Sequence, residues 1–165
     1  MSRFLLIGAG IMGLASAVRL LKEGFAVTVL EKGKASQESS WAGGGILSPL
    51  APWDYSEPVT QLVGYSTSIY SKWVNELSLS TEIDPEFNEC GMLVLPPYDS
   101  VKAHQWCISH NIKEEIGHKS FLSTIHQSTL EKAIFLPHVA QIRNPRLLAA
   151  LQREVIKQGG VIKEY

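Results

Sequence analysis

The stretch that most constrains this chain is Gly8-Ala9-Gly10-Ile11-Met12-Gly13, set between two apolar runs and followed by an acid. Phe4 to Ile7 have the composition of a short buried strand. Leu14 to Lys22 read as helix, stopped by Gly24, and Phe25 to Leu30 read as a second buried strand that delivers Glu31. Strand, glycine turn, helix, strand and acid is the context in which GxGxxG acts as a dinucleotide-binding fingerprint. Gly8 permits the tight turn, Gly10 lets the backbone approach a pyrophosphate, and Gly13 lets the helix pack closely. Free N–H groups and the positive end of the helix dipole meet the phosphate charge. Glu31 follows Gly13 by eighteen positions, close to the roughly 20 at which a carboxylate accepts from ribose hydroxyls. The competing reading is an ordinary βαβ unit with a glycine turn.

Composition narrows the classes. A net charge of −1 and a pI near 6.5 give no electrostatic case for nucleic acid. Hydrophobic content of 45% against 19% charged residues is that of a folded domain rather than a disordered chain. No apolar run approaches the roughly 18 residues that span a bilayer. A strand starting by residue 4 leaves no room for a signal peptide, so a cytoplasmic location is expected. Cys90 and Cys107 form no CxxC and are expected as free thiols.

Other chemistry finds little support. His104, His110, His118, His126 and His138 show none of the HxH, HxxxH or HExxH spacings, so no metal site is expected. Gly64-Tyr65-Ser66-Thr67-Ser68 falls one glycine short of a nucleophile elbow and lies within an expected helix. Arg143 and Arg146 flank a helix start and read as local structure. Glu82, Asp84, Glu86 and Glu89 read as a solvated acidic turn.

Along the chain, residues 32–40 read as a polar loop running into Trp41-Ala42-Gly43-Gly44-Gly45-Ile46-Leu47-Ser48-Pro49. Three consecutive glycines suit either a backbone that must approach a ligand or a flexible turn. Pro58 to about Leu79 has helical periodicity with Ser56 as a cap, and Tyr70 and Trp73 fit its core face. Glu89 to Leu95 reads as strand, and Ser100 to His110 as a short helix with Val101, His104 and Ile108 along one stripe and Trp106 and Cys107 beside it. Ala133–Leu136 and Val139–Ile142 read as two strands. Asn144-Pro145 reads as a capped helix start, with Gly159-Gly160 as its end and Val161 to Tyr165 as a further strand. The strand-rich middle breaks βα alternation and points to an inserted second domain. The expected partition is residues 1–80 as the N-terminal part of a nucleotide-binding domain, 81–142 as part of a substrate domain, and 143–165 returning to the first.

The segments Phe4 to Glu31, Ser39-Ser40-Trp41-Ala42-Gly43-Gly44-Gly45-Ile46-Leu47-Ser48-Pro49 and Val139 to Arg146 together resemble the D-amino-acid-oxidase-like flavoproteins, and among them the glycine oxidases of thiamine biosynthesis. The resemblance implies an α/β fold: a Rossmann-like FAD-binding domain of the three-layer ββα type with part of an inserted α+β substrate domain, truncated. It implies FAD as cofactor. Gly8, Gly10, Ile11, Met12 and Gly13 match the pyrophosphate turn, and Glu31 and Lys32 match the adenosine ribose contacts. Ser39 and Ser40 match contacts near the phosphates, while Gly44, Gly45 and Ile46 match the backbone beside the flavin. The implied reaction is oxidation of the amine of a small amino acid by hydride transfer to flavin. The family's substrate-binding arginine and remaining contacts are expected beyond Tyr165, so no catalytic residue carries over. The implied partners are a small amino acid and either a C-terminal half or a second copy of the chain. An NAD-dependent dehydrogenase and an inactive nucleotide-binding remnant stand as alternatives.

Overall fold

A computed structural model describes residues 2–117 and 127–165. In chain order the elements are β1 (Arg3–Ile7), α1 (Ile11–Lys22), β2 (Ala26–Glu31), α2 (Ser39–Ala42), a 3-10 turn (Pro52–Asp54), α3 (Glu57–Thr81), β3 (Met92–Val94), α4 (Ser100–Ser109), β4 (Glu115–Ile116), α5 (Gln127–Leu130), β5 (Ile134–Leu136), α6 (Asn144–Lys157) and β6 (Val161–Glu164). The fold is α/β. The chain divides into two compact units: Met1–Gly45 with Tyr70–Phe87 and Ile142–Tyr165, and Ile46–Ile69 with Asn88–Gln141.

The first unit is built on a parallel sheet in the order β1-β2-β6. Phe4 lies opposite Val27 and Leu6 opposite Val29, so these side chains share one face. That face is the core side: Val27 and Val29 are buried, together with Leu14, Ala17 and Val18 of α1 and Leu147, Leu148, Leu151 and Val155 of α6. The α6 sequence repeats its apolar residues at helical spacing, which turns one stripe toward α1. Glu154, also buried, accepts from Ser80 Oγ at 2.6 Å and from Gln158 Nε2 at 2.5 Å. Lys157 Nζ adds a bond to the Ser80 carbonyl at 2.6 Å. These bonds tie the C-terminal end of α3 to α6. On the opposite sheet face Leu5 and Ile7 are 60% and 79% exposed, and β1 is a sheet edge.

The second unit holds an antiparallel sheet in the order β3-β5-β4. Its core gathers Trp53, Ala103, Cys107, Ile134, Leu136 and Val139, with Tyr98 and Trp106 packed against it. Gly91 adopts φ +74°, and a Cβ there would run into the Phe135 ring, so the chain kinks before β3.

Several expectations are corrected. Residues 32–40 are not wholly loop: Trp41 and Ala42 both donate to the Glu38 carbonyl, closing the helical turn α2 over Ser39–Ala42. The buried positions of α4 are Ala103 and Cys107, whereas Val101 and Ile108 are 65% and 67% exposed. Ala103 and Cys107, four apart, seat the helix with Trp106 packed beside them, and Val101 and Ile108 are left outside. Glu89–Leu95 pairs only over Met92–Val94. Val139–Ile142 is not a strand, because Ile46 and Asn88 each pair with it only at Gln141. Asn144 does not cap α6: Arg143 is the cap residue, with no side-chain cap bond, and Asn144 is the first helical residue. His118 and His126 lie outside the described residues.

Leu151 is fully buried on the apolar stripe of α6. Leu151→Ala should cost about 2–5 kcal/mol by leaving a cavity, read as a lower denaturation midpoint of the first unit at an unchanged m-value.

Candidate functional site: the glycine turn and the acid at the end of β2

The turn after β1 opens a groove of about 340 Å³. Ile7, Gly8 and Gly10 line it from the turn, and Leu30, Glu31 and Lys32 from the end of β2. Ser36, Glu38, Ser39 and Ser40 line it from the following segment. Gly8 has φ +99° and its N–H donates to the Leu30 carbonyl at 2.7 Å, which docks the turn on β2. At Gly13 a Cβ would collide with the Gly8 carbonyl oxygen, so the first turn of α1 closes on the end of β1 only with glycine there. At Gly10 a Cβ would sit 2.9 Å from Ser40 Oγ.

The start of α1 is poised for an anion. Ile11 N–H donates to Ser40 Oγ at 3.1 Å, and the amides of Gly10, Met12 and Gly13 find no acceptor among the described residues. Unsatisfied first-turn amides with the helix dipole behind them are the physical requirement of a phosphate site.

Glu31 is buried, and its carboxylate grips the turn from below. Oε2 accepts from Ala9 N–H at 2.7 Å and Oε1 from Lys32 N–H at 2.8 Å. The Ala9 amide bond is the main cause that holds its carboxyl below the ordinary value, prevailing over burial, which pushes the other way. Each carboxylate oxygen keeps a further lone pair for a hydroxyl donor. Around it, Ser36 sits at φ +65° and directs both N–H and Oγ to the Ala9 carbonyl, each at 3.1 Å. Glu164 at the end of β6 accepts from Ala35 N–H at 2.8 Å.

Of the residues expected from sequence, Gly8, Gly10, Glu31, Lys32, Ser39 and Ser40 line this groove, with Ile11, Met12 and Gly13 forming the start of α1 beside it. Gly44, Gly45 and Ile46 do not line it. Two of the three glycines have an internal explanation. Gly43 is approached by the Asn144 amide, and Gly45, at φ +75°, has no room for a Cβ against the Ile142 carbonyl; Gly44 faces open space. Ser36 and Glu38 line the groove without having been expected, since a serine in a left-handed turn and a glutamate in a polar loop carry no local signal.

Other reactive groups are structural. The buried Cys107 thiol is pushed up to about 12, chiefly by burial and secondarily by Glu114, so it stays protonated; His104 pairs with Glu114 instead. Cys90 and Cys107 are free thiols. Arg143 and Arg146 both reach Glu86, at 3.3 and 3.2 Å, and Arg146 Nε donates to the Asp84 carbonyl at 2.5 Å. The acidic turn is thus partly an ion-pair anchor for α6, and Tyr70 and Trp73 pack edge to face at 5.3 Å.

Residues 3–165 match the family of FAD-dependent oxidoreductases. The chain belongs to that family. It is 37% identical over 153 residues to a glycine oxidase of Pseudomonas aeruginosa, an alignment covering 91% of this chain and 42% of that protein. A glycine oxidase of Pseudomonas putida is 34% identical over the same shares of each chain. In fold, the crystal structure of glycine oxidase from Geobacillus kaustophilus superposes with a TM-score of 0.88 at 22% identity, covering 100% of this chain and 47% of that one. The chain therefore spans less than half the length of these relatives. No helix among the described residues is long and apolar enough to cross a membrane.

The Glu31 bond has a pH consequence. Its folded pKa lies below that of an ordinary, unfolded-chain carboxyl, so the stability it supplies is present above the unfolded value and is lost as pH falls through the folded pKa. Glu31→Gln should be less stable than the parent at pH 7, and the gap should shrink in acid. Urea unfolding at pH 7 and pH 3 reads the difference.

Proposed function

We propose that this chain carries the adenylate-binding half of the FAD site of an amino-acid oxidoreductase of glycine oxidase type. The observation that supports it most directly is the groove in which unaccepted amides of α1 and the doubly bonded Glu31 carboxylate meet. Anionic phosphate suits the first, and ribose hydroxyls suit the second. Gly8, Gly10, Ile11, Met12 and Gly13 present backbone to the pyrophosphate, Glu31 and Lys32 sit at the ribose, and Ser39 and Ser40 stand near the phosphates. Ser40 Oγ, which accepts from Ile11 N–H, holds that amide in place. Gly44, Gly45 and Ile46 face the flavin. FAD, when bound, supplies the acceptor for a hydride from the Cα of a small amino acid. The FAD-binding role falls to the unit of Met1–Gly45, Tyr70–Phe87 and Ile142–Tyr165, and the substrate region to Ile46–Ile69 with Asn88–Gln141.

The nicotinamide-dehydrogenase alternative requires βα alternation to continue after Glu31. The antiparallel β3-β5-β4 sheet runs against it, as does membership of the FAD-dependent family. Open apolar surface on β1 supports association with a C-terminal half that completes the sheet.

Titration of the purified chain with FAD should show saturable quenching of flavin fluorescence, weakened by Glu31→Gln. A chain that remains colourless after refolding with FAD would sink the reading. Binding by residues 1–165 with no bleaching by glycine or sarcosine is the result expected of a half-site. A longer chain that includes the C-terminal portion should bleach, and failure there would leave a nucleotide-binding remnant. Light scattering distinguishes self-association from a monomer awaiting its complement.

A further inference from the structure

We propose that Asn144 is a positioning residue that presents the glycine run to the flavin; this rests on the FAD reading above. Asn144 Nδ2 donates to the Gly43 carbonyl at 3.0 Å, across 101 positions of sequence. Two positions along each segment, the Ile142 N–H donates to the Gly45 carbonyl at 2.9 Å. Because a trans peptide points its C=O and the next N–H in opposite directions, holding the Gly43 carbonyl against Asn144 aims the Gly44 N–H the other way. The Gly45 carbonyl does the same for the Ile46 N–H. Neither of these amides, nor that of Gly45, has an acceptor among the described residues, and a Cβ on Gly44 would meet nothing within 4 Å. The run is therefore bonded along one side and open along the other, the arrangement that lets backbone donors meet a planar ligand edge.

The clamp also explains two of the glycines. A Cβ on Gly43 would stand 2.6 Å from Asn144 Nδ2, and one on Gly45 would overlap the Ile142 carbonyl. A helix cap would have occupied the Asn144 side chain at the start of α6, where the structure shows no cap bond. Asn144 spends its donor on the glycine run instead.

Asn144→Asp in the 165-residue chain removes the donor at nearly constant size and sets a carboxylate against the Gly43 carbonyl. Hydrogen exchange of the Ile142 amide, whose acceptor is the Gly45 carbonyl, should quicken about tenfold as the run loosens, while exchange at Val29 in the sheet stays unchanged. FAD affinity should fall about tenfold, the loss of one hydrogen bond, with a shift in the flavin visible spectrum. Gly43→Ala should reproduce both effects by displacing Asn144, and the double variant should be little worse than either single one. It also serves as the test if Asn144→Asp exchanges rapidly at Val29 and so has not folded. Unchanged Ile142 exchange overturns the clamp. Faster exchange with unaltered FAD affinity and spectrum overturns its role toward flavin. A parent chain that never binds FAD overturns the underlying reading, a result separable from the first because exchange is measured without flavin.

Discussion

The bond from the Ala9 amide to the Glu31 carboxylate is the contact on which the rest of the first unit depends. It joins the turn after β1 to the end of β2 at 2.7 Å, inside a buried pocket where an unpartnered amide or carboxylate would be costly. With the turn held there, Gly8 can bond Leu30, Gly13 can close on the Gly8 carbonyl, and the first turn of α1 is left with its amides facing the groove. The same carboxylate also accepts from Lys32, so the chain leaves β2 in a set direction. A residue expected to serve a ligand serves the fold first, and the two roles are compatible because a carboxylate has more lone pairs than these two bonds consume.

A second constraint works at longer range. Residues 142–144 lie against the glycine run at 43–45, and Glu164 of β6 reaches back to Ala35. The last part of the chain thus buttresses the loops that follow β2 on both sides of α2. Short β and α elements joined by long excursions would otherwise leave these loops with only local turns to hold them. Here the loop conformation is fixed by side-chain and backbone partners that arrive from the far end of the sequence.

The first unit is also conspicuously open. Leu5 and Ile7 are apolar yet exposed, and β1 has no neighbour on its outer side among the described residues. A parallel strand normally has both faces covered. That openness agrees with a chain spanning less than half the length of its glycine oxidase relatives.

By itself, the sequence determined the βαβ unit, the acid at its end and the α6–β6 return, because apolar periodicity and glycine spacing are local and strong. It also marked most of the groove, since the glycine turn is written in one short stretch. It misjudged what depends on partners. Val139–Ile142 has strand composition but only single-residue pairings, α4 leaves Val101 and Ile108 exposed while burying Ala103 and Cys107, and Asn144 forgoes its cap to bond Gly43. Only the tertiary structure decided these points. Each turns on which backbone group or side chain arrives from a distant part of the chain, and neither composition nor spacing encodes that arrival.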